Sequence, residues 1–342
     1  MAYNDFREFL SALREKGEVV DIDRPVKLAD VGKVLKHAYL NGGKATQFNA
    51  ILADRSGAGA DAVVADRSGA GADAIVADRS GASADAIATE FPLVCGVYST
   101  RRHALIAFEA SEDTLFKKVL AGLETPIPPV MAKGPAPCQE VVITGDAIDI
   151  TKFPIPKYSA KDGGPYITPG IVCSKDPETG VPDIGHYRFL ILSKTTLSFS
   201  AQPFHRFGKN LNKGAAMGKK RTRAALVIGC DPILAYTCQV QVPDTTNDWE
   251  LAGGLRGAPV ELVKAKTCDV EVPATAEVVI EFEVDMDNLV MEGPLGEYTG
   301  YYTPASKKPL ATITAITHRK KPIFQGLLTG RPVTENHVLK QV

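Results

Sequence analysis

Two carboxylates, Glu292 and Glu297, lie five positions apart in Glu292-Gly293-Pro294-Leu295-Gly296-Glu297, which continues into Tyr298-Thr299-Gly300-Tyr301-Tyr302. Glycine opens backbone angles closed to other residues and proline locks its own φ. Such a segment aims both acids into one cleft at little further entropic cost. Paired acids in one pocket suit proton delivery, because like charges disfavour double ionisation and let one acid keep its proton. The same segment also reads as a polar turn between two strands.

Four other stretches bear on that choice. Asp162-Gly163-Gly164-Pro165-Tyr166-Ile167-Thr168-Pro169-Gly170 is a rigid, small-residue turn entering a strand, of the kind that lets a flat or phosphorylated ligand approach the backbone. Asp183-Ile184-Gly185-His186-Tyr187-Arg188 puts an acid, a histidine and an arginine at the mouth of an otherwise apolar strand. A guanidinium there needs an anionic partner, since burying it unpaired is costly. His205 lies in Gln202-Pro203-Phe204-His205-Arg206, and Glu261 in Gly257-Ala258-Pro259-Val260-Glu261. Together these give an arginine that wants an anion, two acids on a Gly-Pro turn, and a dispersed Asp/His/Glu set suited to a hard divalent cation. Each also reads as an ordinary surface or structural ion pair.

The rest of the chain must position these groups. Its 342 residues suffice for two domains, each with its own core. Thirty-nine basic and forty acidic residues leave a formal charge of −1, so no net field draws the protein to nucleic acid or membrane. The basic run Lys219 to Arg223 reads as a solvated face. Six cysteines carry no C-x-x-C spacing, and Cys95, Cys173 and Cys230 sit in apolar runs as small core residues. No apolar run reaches the length of a membrane span, and the charged N-terminus is unlike a signal peptide, so a reducing cytoplasm is expected.

Along the chain, Asn4 is expected to cap a helix bearing Phe6, Phe9, Leu10 and Leu13, with Gly17 as its stop. A strand at Glu18–Ile22 and a helix carrying Val31, Val34, Leu35 and Ala38 follow. Residues 53–88 are three near-copies of a twelve-residue Gly/Ala/Asp-rich unit, read as a mobile surface insertion without function. A strand at 91–98 and a helix capped by Ser111 lead to prolines 126, 128 and 129, the first domain boundary. Beyond them strands dominate, at 141–143, 170–173, 187–192, 224–229, 278–284 and 310–317. In the 278–284 strand Ile280, Phe282 and Val284 share one face, against Glu281 and Glu283 on the other. Many strands with few helices suggest a barrel or sandwich after an α/β lead-in.

The ordered blocks Asp162–Thr168, Lys175–Gly180, Gly185–Arg188, Cys230-Asp231-Pro232, Ala252–Gly257, Val272–Glu277, Glu292–Tyr302 and Thr329–Pro332 resemble the UbiD-type decarboxylases, the 3-polyprenyl-4-hydroxybenzoate carboxy-lyase group. The resemblance runs from about residue 4 to the end, interrupted by the repeat. It implies an α+β fold with an N-terminal α/β domain (1–125), a split β-barrel, flavin-reductase-like domain (126–320), and the start of a C-terminal domain (321–342) whose remainder is absent. It also implies reversible, non-oxidative decarboxylation of an aromatic or α,β-unsaturated acid, with CO2 as co-product. The implied cofactor is prenylated FMN, supplied by a flavin prenyltransferase.

By the same resemblance Arg188, Glu292 and Glu297 are catalytic. Ile167, Thr168 and Arg188 contact the cofactor. Asp183, His205 and Glu261 hold a divalent ion, Mn2+ or Mg2+, against its phosphate, and K+ is a further candidate. Asp183 stands where the family usually has Asn, which adds a negative charge beside that phosphate. The family's C-terminal domain mediates oligomerisation, so a homo-oligomer or a subunit of a larger complex is implied when that domain is present. Other readings are a carboxylase subunit acting on a phenol or phenyl phosphate, a catalytically incomplete cofactor-binding or scaffold subunit, and a flavin reductase on the same barrel. The last has no need of the Arg/Glu/Glu trio.

Overall fold

The computed structural model describes residues 3–54, 86–331 and 333–341. Nearly all of the triple repeat therefore lies outside the described residues. The strands flanking it, Ile51–Asp54 and Ala86–Ala88, pair antiparallel, so the chain leaves and returns at neighbouring points.

The first helix, α1 (Phe6–Glu15), buries Phe6, Phe9, Leu10 and Leu13, as their spacing predicts. Its cap is Asp5 rather than Asn4. The Asp5 carboxylate accepts from the Arg7 and Glu8 backbone N–H groups at 2.9 Å, while Asn4 bonds the Glu8 carboxylate. An ionised acceptor also complements the positive end of the helix. Then follow β1 (Val19–Ile22), α2 (Val31–Leu40), β2 (Ala45–Phe48), β3 (Leu93–Cys95), α3 (Arg101–Ala107) and α4 (Glu112–Glu124). Ser111 and Thr114 form a capping box at the start of α4. The four-stranded sheet runs β1-β2-β3 and finishes with Phe324–Gln325, so a segment from near the other end of the chain completes it.

The larger sheet contains β4 (Val141–Thr144), β5 (Tyr166–Lys175), β6 (Pro182–Ile191), β7 (Thr196–Phe199), β8 (Arg221–Ile228), β9 (Val278–Glu292) and β10 (Ser306–His318). Its order is β7-β6-β5-β8-β9-β10-β4, every described pairing is antiparallel, and β7 also pairs with β10. Six strands thus close on themselves, which removes the open edges that a free sheet would leave.

Ile280, Phe282 and Val284 of β9 point into the enclosed core, and Phe282 lies 5.2 Å from Phe189 and 6.3 Å from Phe199 between ring centroids. Burying each such side chain contributes about 2–3 kcal/mol. On the opposite face Glu283 pairs with Arg221 and Arg223 at 2.7 and 2.8 Å, so the basic run is a solvated, ion-paired face. Glu281 is instead fully buried, because the 266–268 loop covers it and donates the Lys266 and Thr267 backbone N–H groups.

Three helices escaped the sequence pattern: α5 (Arg206–Ala216), α6 (Pro232–Thr237) and α7 (Asp248–Arg256). Helix α5 lies against β5, β6 and β8, and α7 lies against β6, α4 and α6. Their glycines lower helix propensity, and packing outweighs it. A last short helix, α8 (Glu335–Leu339), follows the Phe324–Gln325 strand.

Candidate functional site

Strand β9, after a register irregularity between Asp285 and Leu289, ends at Glu292, and the chain turns at Gly293, whose φ is +93°. Two bonds, each donated by a backbone N–H, dock this turn on the Asp162–Gly164 turn. The Gly163 N–H donates to the Pro294 carbonyl at 2.7 Å, and the Gly296 N–H donates to Asp162 Oδ1 at 3.1 Å. A Cβ on Gly163 would lie 2.3 Å from the Gly293 carbonyl oxygen, so the close approach requires glycine. Thr329 adds a hydroxyl bond to the Gly296 carbonyl. Two sequence blocks more than 120 residues apart therefore form one rigid support.

On this support Arg188, from β6, meets both acids. Its Nε donates to Glu292 Oε1 at 3.1 Å and Nη2 to Glu292 Oε2 at 3.4 Å, while Nη1 pairs with Glu297 Oε1. The Tyr166 hydroxyl, from β5, donates to Glu292 Oε1 at 3.1 Å, and Thr303 donates to Glu297 Oε1 at 3.3 Å. Burial, and next the Glu292 carboxylate, push the Tyr166 phenol well above its ordinary range, so it stays a donor. The two acids face the guanidinium from different sides rather than facing each other. Glu292 is only 1% exposed, behind Arg188, whereas Glu297 and Arg188 line a cavity of about 1120 Å3.

That cavity exceeds the usual volume of a small-ligand pocket. It runs along β6, whose residues from Asp183 to Arg188 all line it, and Thr168, Lys209 and Lys340 line it as well. Ile167, expected beside Thr168 as a cofactor contact, has its side chain in the barrel core and outside the cavity lining.

The expected metal set is not brought together. Asp183 and His205 line the cavity, but Glu261 is exposed on the strand Glu261–Lys264, in a separate three-stranded sheet, and does not line it. Among the described residues no group of three or more His, Cys, Asp or Glu side chains is placed to hold a metal ion. Asp183 is instead occupied by Arg206, whose guanidinium spans two acids. Its Nε lies 3.4 Å from Asp183 Oδ1 and its Nη1 lies 2.5 Å from Asp248 Oδ1, while Nη2 donates to the carbonyls of Pro182, Asp244 and Thr246. The other oxygens are also engaged: Ser174 donates to Asp183 Oδ2 at 3.0 Å and the Ile184 N–H donates to Asp248 Oδ2 at 2.9 Å. Burial, with the nearby Asp248 charge adding to it, pushes the Asp183 carboxyl up to about 6, against the pull of Arg206 and Ser174. A divalent ion does not fit this donor set while Arg206 holds both acids.

Sequence reasoning therefore missed Asp248 and Arg206. Asp248 sits in the first turn of α7 behind the Asn247 cap, where an acid is expected simply to complement the helix dipole. Arg206 stands directly after His205, and a cation in a candidate metal stretch was the available signal.

A flavin mononucleotide does fit the residues present. The cavity's volume, the Lys209 and Lys340 ammonium groups on its wall (the first paired with Asp244 at 2.7 Å, the second 3.7 Å over the Tyr298 ring), and an Arg/Glu end for a reacting acid match its chemistry. Among the described residues, no helix is long and apolar enough to cross a membrane.

The family model for the 3-octaprenyl-4-hydroxybenzoate carboxy-lyase Rift-related domain matches residues 130–332. An uncharacterised protein of Archaeoglobus fulgidus is 29% identical over 98% of the chain and 66% of its own length. An evolved dimeric form of the UbiD-class enzyme HmfF from Pelotomaculum thermopropionicum, solved with prFMN, superposes with a TM-score of 0.81 at 28% identity, covering 99% of this chain and 70% of that one. The closed form of the Sedimentibacter hydroxybenzoicus vanillic acid decarboxylase gives 0.84 at 26% identity, covering 99% and 67%. The chain spans 66%, 40% and 45% of the length of three curated relatives.

Proposed function

Because the chain belongs to the UbiD carboxy-lyase family, we propose that it takes part in the non-oxidative, reversible decarboxylation of an aromatic or α,β-unsaturated carboxylic acid, using prenylated FMN. The observation that carries this reading is the Arg188 fork, which joins Glu297, at the wall of the large cavity, to Glu292 buried behind it. The closed ring of six strands around the core supports the split-barrel reading of the central domain.

Loss of CO2 from an sp2 carbon leaves a carbanion that no side chain here can absorb, and prenylated FMN, when bound, supplies that electron sink. The protein's own groups do the rest. Thr168 and the wall of β6 would hold the flat ring, and Lys340 and, on releasing Asp244, Lys209 would meet its phosphate. Arg188 is the available cation for the incoming carboxylate. Pairing with it competes with the 3.1 Å and 3.4 Å bonds to Glu292, so substrate binding loosens the acid that was covered. Glu292, having taken up a proton from solvent once it is loosened, would then deliver it to the vacated carbon as general acid. Glu297, held by Thr303, keeps Arg188 in place during the exchange.

Co-expression with a flavin prenyltransferase tests the reading. The purified protein should carry a flavin whose mass matches the prenylated form, and should release CO2 from members of a panel of aromatic and unsaturated acids. A colourless protein without bound flavin would refute it.

A further inference from the structure

Between Asp183 and Arg188, β6 also presents His186 to the cavity, beside Tyr187. Its Nδ1 lies 2.9 Å from Gln239 Nε2. The Ala235 carbonyl, 3.5 Å from the same nitrogen, fixes which end of the amide faces the ring. The amide therefore donates to Nδ1, and the ring's single proton sits on Nε2. Burial pushes the imidazole down to about 4, which keeps the ring neutral across the physiological range. Among the described residues Nε2 has no protein partner, and it is not among the fully enclosed polar atoms that lack one. It is a donor of fixed direction, open to the cavity. A ligand that fills the cavity takes this donor out of water, and an enclosed donor left unpaired is costly, so it calls for an acceptor on whatever fills the space.

We propose that His186, oriented by Gln239, is a ligand-binding residue whose Nε2–H donates to a carbonyl oxygen or ring nitrogen of the flavin's isoalloxazine. This deepens the reading above and rests on it. Five residues of extended strand separate Asp183 from Arg188, roughly 16 Å, and His186 stands about 7 Å short of Arg188. A flat ring with its reactive edge at Arg188 and Glu297 passes over His186 before it reaches the Asp183–Arg206 end. The ring's polar rim offers acceptors there, and a neutral donor meets them without adding a charge beside two arginines. Gln239 acts through His186 and is a positioning residue.

The test is titration of the purified apoprotein with FMN, read by quenching of flavin fluorescence and by the position of the long-wavelength absorption band. His186→Leu should bind FMN about tenfold more weakly than wild type and move the band, the loss expected for one hydrogen bond. His186→Gln, which keeps an N–H donor, should recover most of the affinity. Gln239→Leu should fall between wild type and His186→Leu. Wild-type affinity and an unmoved band in His186→Leu would overturn the proposal while leaving the flavin reading intact. Failure of the wild type to bind FMN would overturn both. If circular dichroism shows His186→Leu to be misfolded, Gln239→Leu decides, and wild-type behaviour there overturns the proposal.

Discussion

Tyr166 and Arg188 direct donors at the same oxygen, Oε1 of Glu292, each at 3.1 Å. One donor is neutral and stays so, and the other is a fixed cation that also grips Glu297. Removing them should have unequal effects. Tyr166→Phe deletes one bond to a carboxylate that keeps its arginine, and should cost about 1 kcal/mol of stability. Arg188→Ala leaves an enclosed acid without its counter-charge and should cost about 3 kcal/mol. Urea midpoints at neutral pH measure both, and equal losses would mean that Arg188 does not carry the charge balance of Glu292.

Arg206 makes a second prediction about ions. Because it spans Asp183 and Asp248, flavin uptake by the wild-type protein should be unchanged, within about twofold, by chelation with EDTA or addition of Mn2+. Arg206→Ala exposes two enclosed acids to each other. That variant should be less stable without metal, and should gain several degrees in melting temperature on addition of Mn2+, since an ion that binds only the folded state stabilises it. A wild-type protein that loses flavin on chelation would show that Arg206 gives way to a metal.

Glu335, at the start of α8, gives a pH prediction. It is fully buried and accepts from the Tyr39 hydroxyl at 2.7 Å and the Tyr98 N–H at 3.2 Å. Burial pushes its carboxyl from the ordinary 4.5 up to about 7, despite these donors. The folded state therefore binds this proton more tightly than the unfolded state does. Its contribution is fully present below pH 4.5 and is lost as pH rises through about 7, on the order of 3 kcal/mol. Glu335→Gln, which keeps an acceptor for Tyr39, should flatten the stability profile across that window. An unchanged slope from pH 4.5 to 7 would assign the effect to other groups.

How much of this was legible depended on whether the signal was local. The alternation through Ile280, Phe282 and Val284 is local, and it predicted a core face that the closed sheet fills. The Gly-Pro turn between Glu292 and Glu297 was legible for the same reason, since only a few residue types permit its backbone. The docking of Gly163 on Pro294 was not legible, because it depends on strand register over a span of more than 120 residues. The family resemblance supplied Arg188 as their partner, a pairing that spacing alone could not reveal. It misplaced Glu261, whose side chain turns to solvent, and it passed over Asp248, which the start of α7 brings beside Asp183 through Arg206. Helices α5 and α7 went unseen because their glycines, set by close packing, erase the propensity that marks a helix.

The central claim is that Glu292 delivers the proton. It is tested most directly in protein loaded with prenylated FMN, by following solvent deuterium into the carbon vacated by CO2 during turnover of an acid from the panel. The wild type should incorporate deuterium, and Glu292→Gln, with its flavin still bound, should do so at least a hundredfold more slowly. Incorporation at the wild-type rate by Glu292→Gln would contradict the account.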